Sequence, residues 1–427
     1  MSHHEYQKVE GRIFSRSFFI LLTFVLIGMS LIVVRFVKGI GAVSNMNDGY
    51  PWGIWIAYDV ATGTAIACGG YAVAILVYIR NHMRYHPLMR SCILTSLFGY
   101  GLAGFSVMVD LGRPWNAYNF FLPSKWQFNS VMFEVALCVM AYSMVLLIEF
   151  LPAILYSLEK SKWVRFRRFM DWLHPRLVPD KKAVLDKIER VQAGAGWLRP
   201  RLEKILIFII VLGITLPTMH QSSLGSMLLI APTKLHPLWH TPMLPLLFLI
   251  NAIFMGYSIV IFESIISSYS FNRPYESREI AGVSRVIPGF TVVWMLVVFG
   301  DLAYRGQLGA AFSMDHLSLW FLAQMVLVGT GSFLLLGARG PSSPRRSPRR
   351  LFISAALILV GGAVYRFNVY LIGFDPGQGW SYFPSLAEIM ITVGIVSLEL
   401  LGYLVLVKMV PVLPKAHGAP PLQTQNA

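Results

Sequence analysis

The sequence predicts an all-α protein, a polytopic transmembrane helical bundle with about ten spans. Three observations predict this class: 56% of the 427 residues are hydrophobic, only 13% are charged, and the mean hydropathy is +0.60. The charged share is about half that of an ordinary soluble domain. This composition excludes a disordered chain, a collagen-like fibre and an ordinary soluble enzyme. We therefore expect a lipid bilayer to cover most of the apolar surface.

Ten mostly apolar runs follow one another along the chain, each close to the roughly 20 residues that a spanning helix needs. They cover residues 17–38, 53–79, 90–112, 129–156, 203–221, 242–267, 285–305, 315–338, 350–373 and 384–410. In chain order, we expect an N-terminal bundle of spans 1–4 in 1–156, a basic cytoplasmic loop at 157–202, a second bundle of spans 5–8 in 203–338, a Pro- and Arg-rich linker at 339–350, and spans 9–10 with a tail in 351–427. Within the loop, KSKWVRFRRFMDWL predicts an interfacial amphipathic helix.

Basic residues are distributed unevenly between the two faces that ten spans imply. All but seven of the 36 Lys and Arg residues fall at the two chain ends or after an even-numbered span. The seven exceptions are Arg35, Lys38, Arg113, Lys125, Lys234, Arg305 and Arg366. Because cytoplasmic loops carry the excess of Lys and Arg, both termini are expected in the cytoplasm. The net charge of +15 therefore indicates topology and contact with lipid, not binding to nucleic acid.

Ionisable side chains inside the spans need a reason, because each costs roughly 2.5–3.5 kcal/mol at a helix centre. The candidates are Asp59, Asp110, Glu134, Glu149, His220, Glu263, Asp301, Arg366, Glu388 and Glu399. Each could be a helix-packing pair, and those near span ends could reach the headgroups. Six of them, however, fall in the outer half beside aromatic segments such as GYPWGIWIAYD and DLGRPW: Asp59, Asp110, Glu134, His220, Asp301 and Glu388. A polar pocket walled by aromatic rings suits a lipid-soluble quinone, whose reduction needs hydrogen-bond donors and two protons.

Metal and haem sites have little support in the residue pattern. The three cysteines, Cys68, Cys92 and Cys138, lie in apolar runs without a CxxC spacing, and no HExxH occurs. A membrane b-type haem usually takes two histidines from facing helices, and His220 is the one histidine clearly within a predicted span. The sequence therefore predicts no metal site and no haem.

Several segments resemble the NrfD/polysulfide-reductase-type membrane subunits. The segments are GYPWGIWIAYDVATGTAIACGGYA, SLFGYGLAGFSVMVDLGRPWN, NSVMFE, LPTMHQSSLGSM, HPLWH, SIVIFE and FDPGQGWSYFPS. The similarity is closest to the HybB-like branch, the membrane subunits of hydrogenase-2-type nickel–iron hydrogenases. It implies two four-helix bundles plus two extra helices in a bacterial inner membrane. It also implies bound menaquinone or ubiquinone, an iron–sulfur electron-transfer subunit, and nickel–iron hydrogenase large and small subunits on the periplasmic side.

On this resemblance we assign hypothetical roles to eight residues. The quinone pocket would be lined by Trp55, Asp59, Asp110, Arg113 and His220. Proton transfer would use Glu134 beside the ring, Tyr100 as a donor, and Glu263 as the point where protons enter from the cytoplasm.

Four other functions stay open at this point. Carboxylates on one helix face, such as Glu388 and Glu399, would suit a proton conductor, with or without quinone chemistry. A secondary transporter would require broken helices, for which Pro217 is a weak sign. A haem cytochrome and a purely structural anchor complete the alternatives, and the catalytic partner could be another iron–sulfur or molybdenum oxidoreductase.

Overall fold

The structure is a computed structural model that describes residues 6–160, 181–231, 233–336 and 347–414. Ten helices in this part of the chain are long and apolar enough to cross a membrane. We number them α1 (Arg16–Lys38), α2 (Trp55–Ile79), α3 (Met89–Asp110), α4 (Val131–Lys160), α5 (Lys181–Leu229), α6 (Leu244–Ser270), α7 (Ile287–Tyr304), α8 (His316–Leu334), α9 (Pro348–Phe367) and α10 (Leu386–Met409). The predicted all-α polytopic class is confirmed.

Shorter elements connect these helices. The 3₁₀ helices are Ile40–Ala42, Met83–Leu88, Pro114–Phe121, Pro123–Lys125 and Gly309–Phe312; a short α-helix covers Ser277–Val283, and a π-helical turn, Asn368–Ile372, extends α9. Two short strands, β1 (Tyr6–Gln7) and β2 (Leu413–Pro414), pair antiparallel.

Side-chain caps fix where several helices begin. The Ser15 hydroxyl accepts from the Phe18 N–H at the start of α1, and Asp315 accepts from the Ser318 N–H at the start of α8. The same backbone bond, together with the Ser313 hydroxyl, holds the pKa of Asp315 below its ordinary value. Each cap satisfies an N–H that the first helical turn leaves without a partner. The sequence therefore sets these helix boundaries locally, before any packing.

Helix α2 is irregular along most of its length. Its first and last parts, Trp55–Thr62 and Ile75–Ile79, are π-helical, and the chain turns at Ala67 and Cys68 between two short α-helical pieces. A π-helical turn changes which side chains face a neighbour and leaves carbonyls without their usual partners, and it occurs often at functional sites. The Ala61 carbonyl in this region accepts from the Arg366 guanidinium, 2.6 Å away.

The ten helices pack as two groups of four and one pair. Helices α2 to α5 form one group, α6 to α9 form the other, and α1 packs along α10 beside α3. The α1–α10 contact is very close, because a Cβ at Gly28 would lie 2.7 Å from the Gly394 Cα. The pair therefore joins segments from opposite ends of the chain, and the packing groups the spans differently from the predicted chain-order division.

Both described chain ends lie at one end of the bundle, which we call the terminal face. Strands β1 and β2 pair there, the Tyr6 hydroxyl donates to the His86 carbonyl, and Arg273 donates to the Pro414 carbonyl. The loops at 39–54, 111–130, 230–243, 305–315 and 373–385 lie at the other end, which we call the opposite face. An even number of spanning helices, as predicted, accounts for the meeting of the two ends.

The region predicted as a basic loop, 157–202, is helical wherever the structure describes it. Helix α4 continues to Lys160, and α5 begins at Lys181, well before the predicted span at 203–221. The side chains of Arg199 and Glu159 form an ion pair between the two helices, with 3.1 Å between Nε and Oε2. Charged residues are good helix formers, so a helix can extend past the membrane. Most of KSKWVRFRRFMDWL and of the 339–350 linker lies outside the described residues.

Candidate functional site

Five polar side chains form a buried cluster inside the α2–α5 group, which we call the interior cluster: Thr64, Cys68, Tyr100, His220 and Gln221. The Gln221 amide donates to the Thr64 hydroxyl at 3.0 Å and to the Tyr100 hydroxyl at 3.3 Å. His220 Nε2 lies 3.2 Å from the Thr64 hydroxyl, and Tyr100 OH lies 3.5 Å from Cys68 Sγ. Three helices thus share one connected set of proton donors and acceptors.

Small residues and a proline bring this cluster together. A Cβ at Gly99 would lie 2.5 Å from the Ala67 Cβ, so α2 and α3 approach closely enough for Tyr100 to reach α2. Pro217 lies inside α5, where it has no N–H for the carbonyl four residues earlier. Thr218, next to this break, donates to the Tyr71 hydroxyl at 2.9 Å. The PTMHQSS segment therefore directs the side chains of Thr218, His220 and Gln221 to α2 and α3.

Glu134 and Ser223 form a second part of the site, nearer the membrane surface. The Ser223 hydroxyl donates to Glu134 Oε1 at 2.7 Å, in the first turn of α4, where the helix dipole favours a negative charge. Ser223 is buried and Glu134 is partly buried. Met132 and Met219 beside them are 62% and 43% exposed, so this carboxylate lies near the lipid-facing surface. Glu134 thus lies near the bilayer, and its partner Ser223 lies three residues after His220 of the interior cluster on α5.

A different arrangement holds Glu388, where the loops meet α10; we call it the junction cluster, comprising Asn45, Gly53, Tyr382, Ser385 and Glu388. Glu388 is fully buried and accepts three hydrogen bonds, from the Tyr382 hydroxyl (2.6 Å), the Asn45 N–H (2.9 Å) and the Ser385 N–H (2.8 Å). The Ser385 hydroxyl accepts in return from the Glu388 N–H, which completes a capping box. Burial, and then the bond to Glu388, raise the pKa of Tyr382.

Asp110 and Trp55 lie next to the junction cluster. Asp110 faces the Gly53 N–H and interacts electrostatically with Arg35. Arg35 is itself buried in α1 and donates to the Val109 and Leu111 carbonyls at the end of α3. The Trp55 ring is fully buried, and its indole N–H has no partner within the described ranges. These groups tie α1, α2 and α3 together at the opposite face.

The structure does not gather the other predicted residues into one pocket. Asp59 is buried between α2 and α10 and accepts a long bond, 3.4 Å, from Thr392. Arg113 is exposed in the loop after α3. Glu263 is in the half of α6 towards the terminal face, where Thr95 and Tyr403 donate to it at 2.7 and 2.6 Å. Tyr100 and His220 lie together, with ring centroids 5.4 Å apart. Glu134 contacts the same helix as His220, through its hydrogen bond with Ser223.

Neutral polar residues were missed by the sequence analysis, although several complete these contacts. Thr64, Gln221, Ser223 and Asn251 are all buried, and Asn251 Oδ1 accepts from the Arg366 Nε at 2.7 Å. The PTMHQSS motif carried a signal for two of them, since a helical run of adjacent amide and hydroxyl residues is unusual in lipid. No such signal marked Thr64 or Asn251, because hydroxyl and amide side chains occur singly in many spans.

Known proteins of similar sequence cover nearly all of the chain. It is 39% identical over 414 residues to the Escherichia coli protein named Probable Ni/Fe-hydrogenase 2 b-type cytochrome subunit, covering 96% of each chain. A Nitratidesulfovibrio vulgaris protein is 32% identical over 90% of this chain and 91% of its own. The integral membrane subunit of menaquinone reductase from the same organism is 28% identical over 127 residues, 29% of each chain.

The prediction of a chain without haem is contradicted by the name of the Escherichia coli relative, which describes a b-type cytochrome subunit. That prediction rested on counting histidines on facing helices. The criterion was too narrow, because haem iron also accepts Cys, Met or Tyr. In the described spans, His220 is a buried histidine whose Nε2 contacts the Thr64 hydroxyl, so an iron bond from this nitrogen would first require that contact to break.

The family match extends through both groups of four helices. The Polysulphide reductase, NrfD family matches residues 42–374, which include α2 to α9 and therefore the whole interior cluster. Helices α1 and α10 lie outside the matched range, although the full-length relatives include them. The chain therefore belongs to the Polysulphide reductase, NrfD family.

Proposed function

We propose that this protein is the quinone-binding membrane subunit of a membrane-bound nickel–iron hydrogenase complex. It accepts electrons from an iron–sulfur partner subunit and reduces menaquinone or ubiquinone. One observation carries the proposal: the Ser223 hydroxyl donates to Glu134 beside a lipid-facing surface, and Ser223 lies three residues after His220 of the interior cluster on the same helix. The names of two relatives, a hydrogenase 2 subunit and a menaquinone reductase subunit, support the reaction class.

The quinone reaches this site from the bilayer. A prenylated quinone is dissolved in lipid, so its binding site needs an opening on the lipid-facing surface of the bundle. Met132 and Met219 flank Glu134 on that surface, and flexible thioether side chains adapt to a ring that enters and leaves. Behind them, Ser223 and His220 occupy successive positions of one face of α5, which places hydrogen-bonding groups beside the ring.

Reduction to the quinol takes two electrons from the partner and two protons from this chain's surroundings. Glu134 is placed to give a proton to one quinone oxygen and to be reprotonated through the hydroxyl of Ser223. Tyr100 acts as a positioning residue, because its hydroxyl accepts from the Gln221 amide and so fixes the neighbouring donors. His220 lies on the same network through Thr64 and supplies a further hydrogen-bonding group.

The remaining predicted residues have supporting roles in this proposal. Trp55, Asp59 and Asp110 support the contacts of α2 and α3 with α1 and α10, and Arg113, exposed at the opposite face, contacts the partner subunits. The terminal face lies in the cytoplasm of a bacterial inner membrane, as the basic residues at both ends and in the even-numbered loops favour. Glu263, in that half of the protein, is where protons enter.

A Glu134→Gln variant tests the proposal in the assembled complex. Proton donation by a positioned acid contributes about 10²–10⁴-fold to a rate. Hydrogen-dependent reduction of a quinone should therefore fall at least about 100-fold, while reduction of a water-soluble dye at the hydrogenase subunits stays unchanged. Glu10→Gln, at an exposed carboxylate on the terminal face, is the matched control. Full quinone reduction in Glu134→Gln would refute the proposed site.

A second candidate function is proton conduction without quinone chemistry in this chain. The observation that favours it is Glu263, which accepts from the hydroxyl groups of Thr95 and Tyr403, outside the interior cluster. Proteoliposomes separate the two functions. If Glu263→Gln stops hydrogen-driven proton movement but leaves quinone reduction intact in the presence of a protonophore, conduction is a separate activity. Loss of both would place Glu263 on the path that serves the quinone.

A further inference from the structure

The α6–α9 group has buried polar atoms of its own at the opposite face. The Gln324 side-chain oxygen accepts from Trp239 Nε1 at 3.3 Å and from Asn368 Nδ2 at 2.6 Å. Two donors on the oxygen orient the amide, so its NH₂ group points elsewhere. That nitrogen and the hydroxyl of Tyr365 have no hydrogen-bond partner in the described parts of the chain, although both residues are buried.

A buried donor without a hydrogen-bond partner is energetically unfavourable inside the bilayer. Transfer of an amide or hydroxyl to an apolar medium without a partner costs several kcal/mol, and no bulk water is available within the bilayer. Buried polar groups of this kind are usually satisfied by a bound water. Two such donors on residues that line one cavity therefore indicate a ligand that accepts hydrogen bonds.

That cavity is small. Gln324 and Tyr365 both line it, together with Thr241, Val298 and Asp301, and its volume is about 10 Å³. That is close to the minimum for one water molecule, which needs two to four polar partners. The cavity is too small for a quinone or a lipid chain, so its size and its lining both select water.

The cavity also adjoins the opposite face. Asp301 lies near the end of α7, where its carboxylate pairs with Arg305, and the side chains of these residues are 10% and 21% exposed. Arg305 in turn donates to the Pro237 carbonyl in the loop after α5, at 2.8 Å. Asp301 of this ion pair also lines the cavity, so a partly exposed acidic group near the opposite face borders the same space as Gln324 and Tyr365.

We infer that the α6–α9 group contains a hydrated recess in which water bridges Gln324, Tyr365 and Asp301, and that protons reach this depth from the opposite face. The water accepts from the Gln324 amide and from the Tyr365 hydroxyl, and it donates to the Asp301 carboxylate. The recess lies in the group of helices that does not hold the interior cluster. It therefore adds a water and proton site beyond the proposed quinone chemistry.

Cysteine substitution tests the recess in the assembled complex, in membrane vesicles of known orientation. Val298 lines the cavity, whereas Val328 is buried one turn below Gln324 on α8, so Val298→Cys and Val328→Cys are matched variants. The probe is Ag⁺, a thiol-reactive cation that follows water into narrow spaces. The readout is protection of the thiol from a maleimide added after denaturation. The parent protein, whose Cys68, Cys92 and Cys138 are buried, sets the background.

Applied to the opposite face, Ag⁺ should block Val298→Cys at least tenfold faster than Val328→Cys. Adding Gln324→Leu to Val298→Cys should slow that reaction, since the water loses a donor. Equal rates for the two cysteines, or faster reaction from the terminal face, would refute the recess. The Ag⁺ reaction rates do not depend on quinone turnover. The recess can therefore be refuted while the proposed function is supported, and the proposed function can be refuted while the recess is supported. Yield of the intact complex confirms that each variant folds.

Discussion

The junction cluster and the interior cluster use similar side chains in opposite ways. In the junction cluster, Glu388 receives three donors and its hydrogen-bonding capacity is largely used. In the interior cluster, single hydroxyl groups serve several neighbours: the Thr64 hydroxyl faces both His220 and Gln221, and the Tyr100 hydroxyl faces Gln221 and Cys68.

This difference in hydrogen bonding indicates that the junction cluster is a structural site and that the interior cluster is suited to binding and proton transfer. A carboxylate that holds two loops and a helix start has little capacity left for a substrate, and removing it leaves three donors without their acceptor. A network of shared hydroxyls can rearrange its hydrogen bonds when a ligand or a proton arrives. We therefore expect variants of the junction cluster to lose stability, and variants of the interior cluster to lose quinone turnover.

The largest loss of stability is expected for Glu388→Ala. Three donors in a partly buried site would lose their acceptor, and a fully buried unsatisfied group costs about 1–3 kcal/mol, so the free energy of unfolding should fall by about 3 kcal/mol. Thermal unfolding of the purified protein in detergent gives the measurement. Glu388→Gln keeps one acceptor oxygen and should lose less. An unfolding midpoint for Glu388→Ala equal to that of the parent would contradict the structural role.

A smaller loss is expected where α1 meets α10. Gly28→Val places side-chain atoms within 3 Å of the Gly394 backbone, so the helices must separate. Overpacking of this kind costs about 1–3 kcal/mol. Gly101→Val is the matched control, because a Cβ at that helical glycine meets nothing within 4 Å. If both variants unfold at the same temperature, close packing of α1 on α10 does not stabilise the fold.

Most of the fold could be predicted from the sequence because hydropathy and helix length are local properties. The packing partners of each helix could not be predicted, since an apolar helix face can pack on any of several other helices. Gly28 and Gly394 are small residues that permit a close contact, but nothing in their own segments specifies that they meet. The early start of α5 was missed for a related reason: charged residues end a membrane span without ending a helix.

The candidate site was only partly predictable. Ionisable residues are conspicuous in a span, and this identified Glu134 and His220. The role of Glu388 was also readable, because Ser385 followed three residues later by a glutamate is a capping-box pattern. Whether such residues share a pocket depends on helix rotation and loop length. For that reason Arg113, one residue past a predicted span end, was grouped with residues that it does not accompany.

The interior cluster should respond to Tyr100→Phe mainly through activity. Loss of one hydrogen bond costs about 1 kcal/mol in stability, since the Gln221 amide keeps the Thr64 hydroxyl as a partner. Hydrogen-dependent quinone reduction should fall at least about tenfold if Tyr100 positions the donors. Tyr257→Phe is the control, because that buried hydroxyl has no partner among the residues that the structure covers. Equal turnover in both variants would make Tyr100 a packing residue.

The smallest effect is expected for Thr392→Val, which lies between the two regions. Its hydroxyl donates to Asp59 over 3.4 Å, a length at which a hydrogen bond is weak. The substitution preserves shape, so stability should change by no more than about 0.5 kcal/mol. Quinone turnover should stay near the parent value, because Asp59 has only a supporting role. A loss of turnover close to that of Glu134→Gln would move Asp59 and Thr392 into the reaction site. The reaction site would then extend to α10, the helix that also carries Glu388 of the junction cluster.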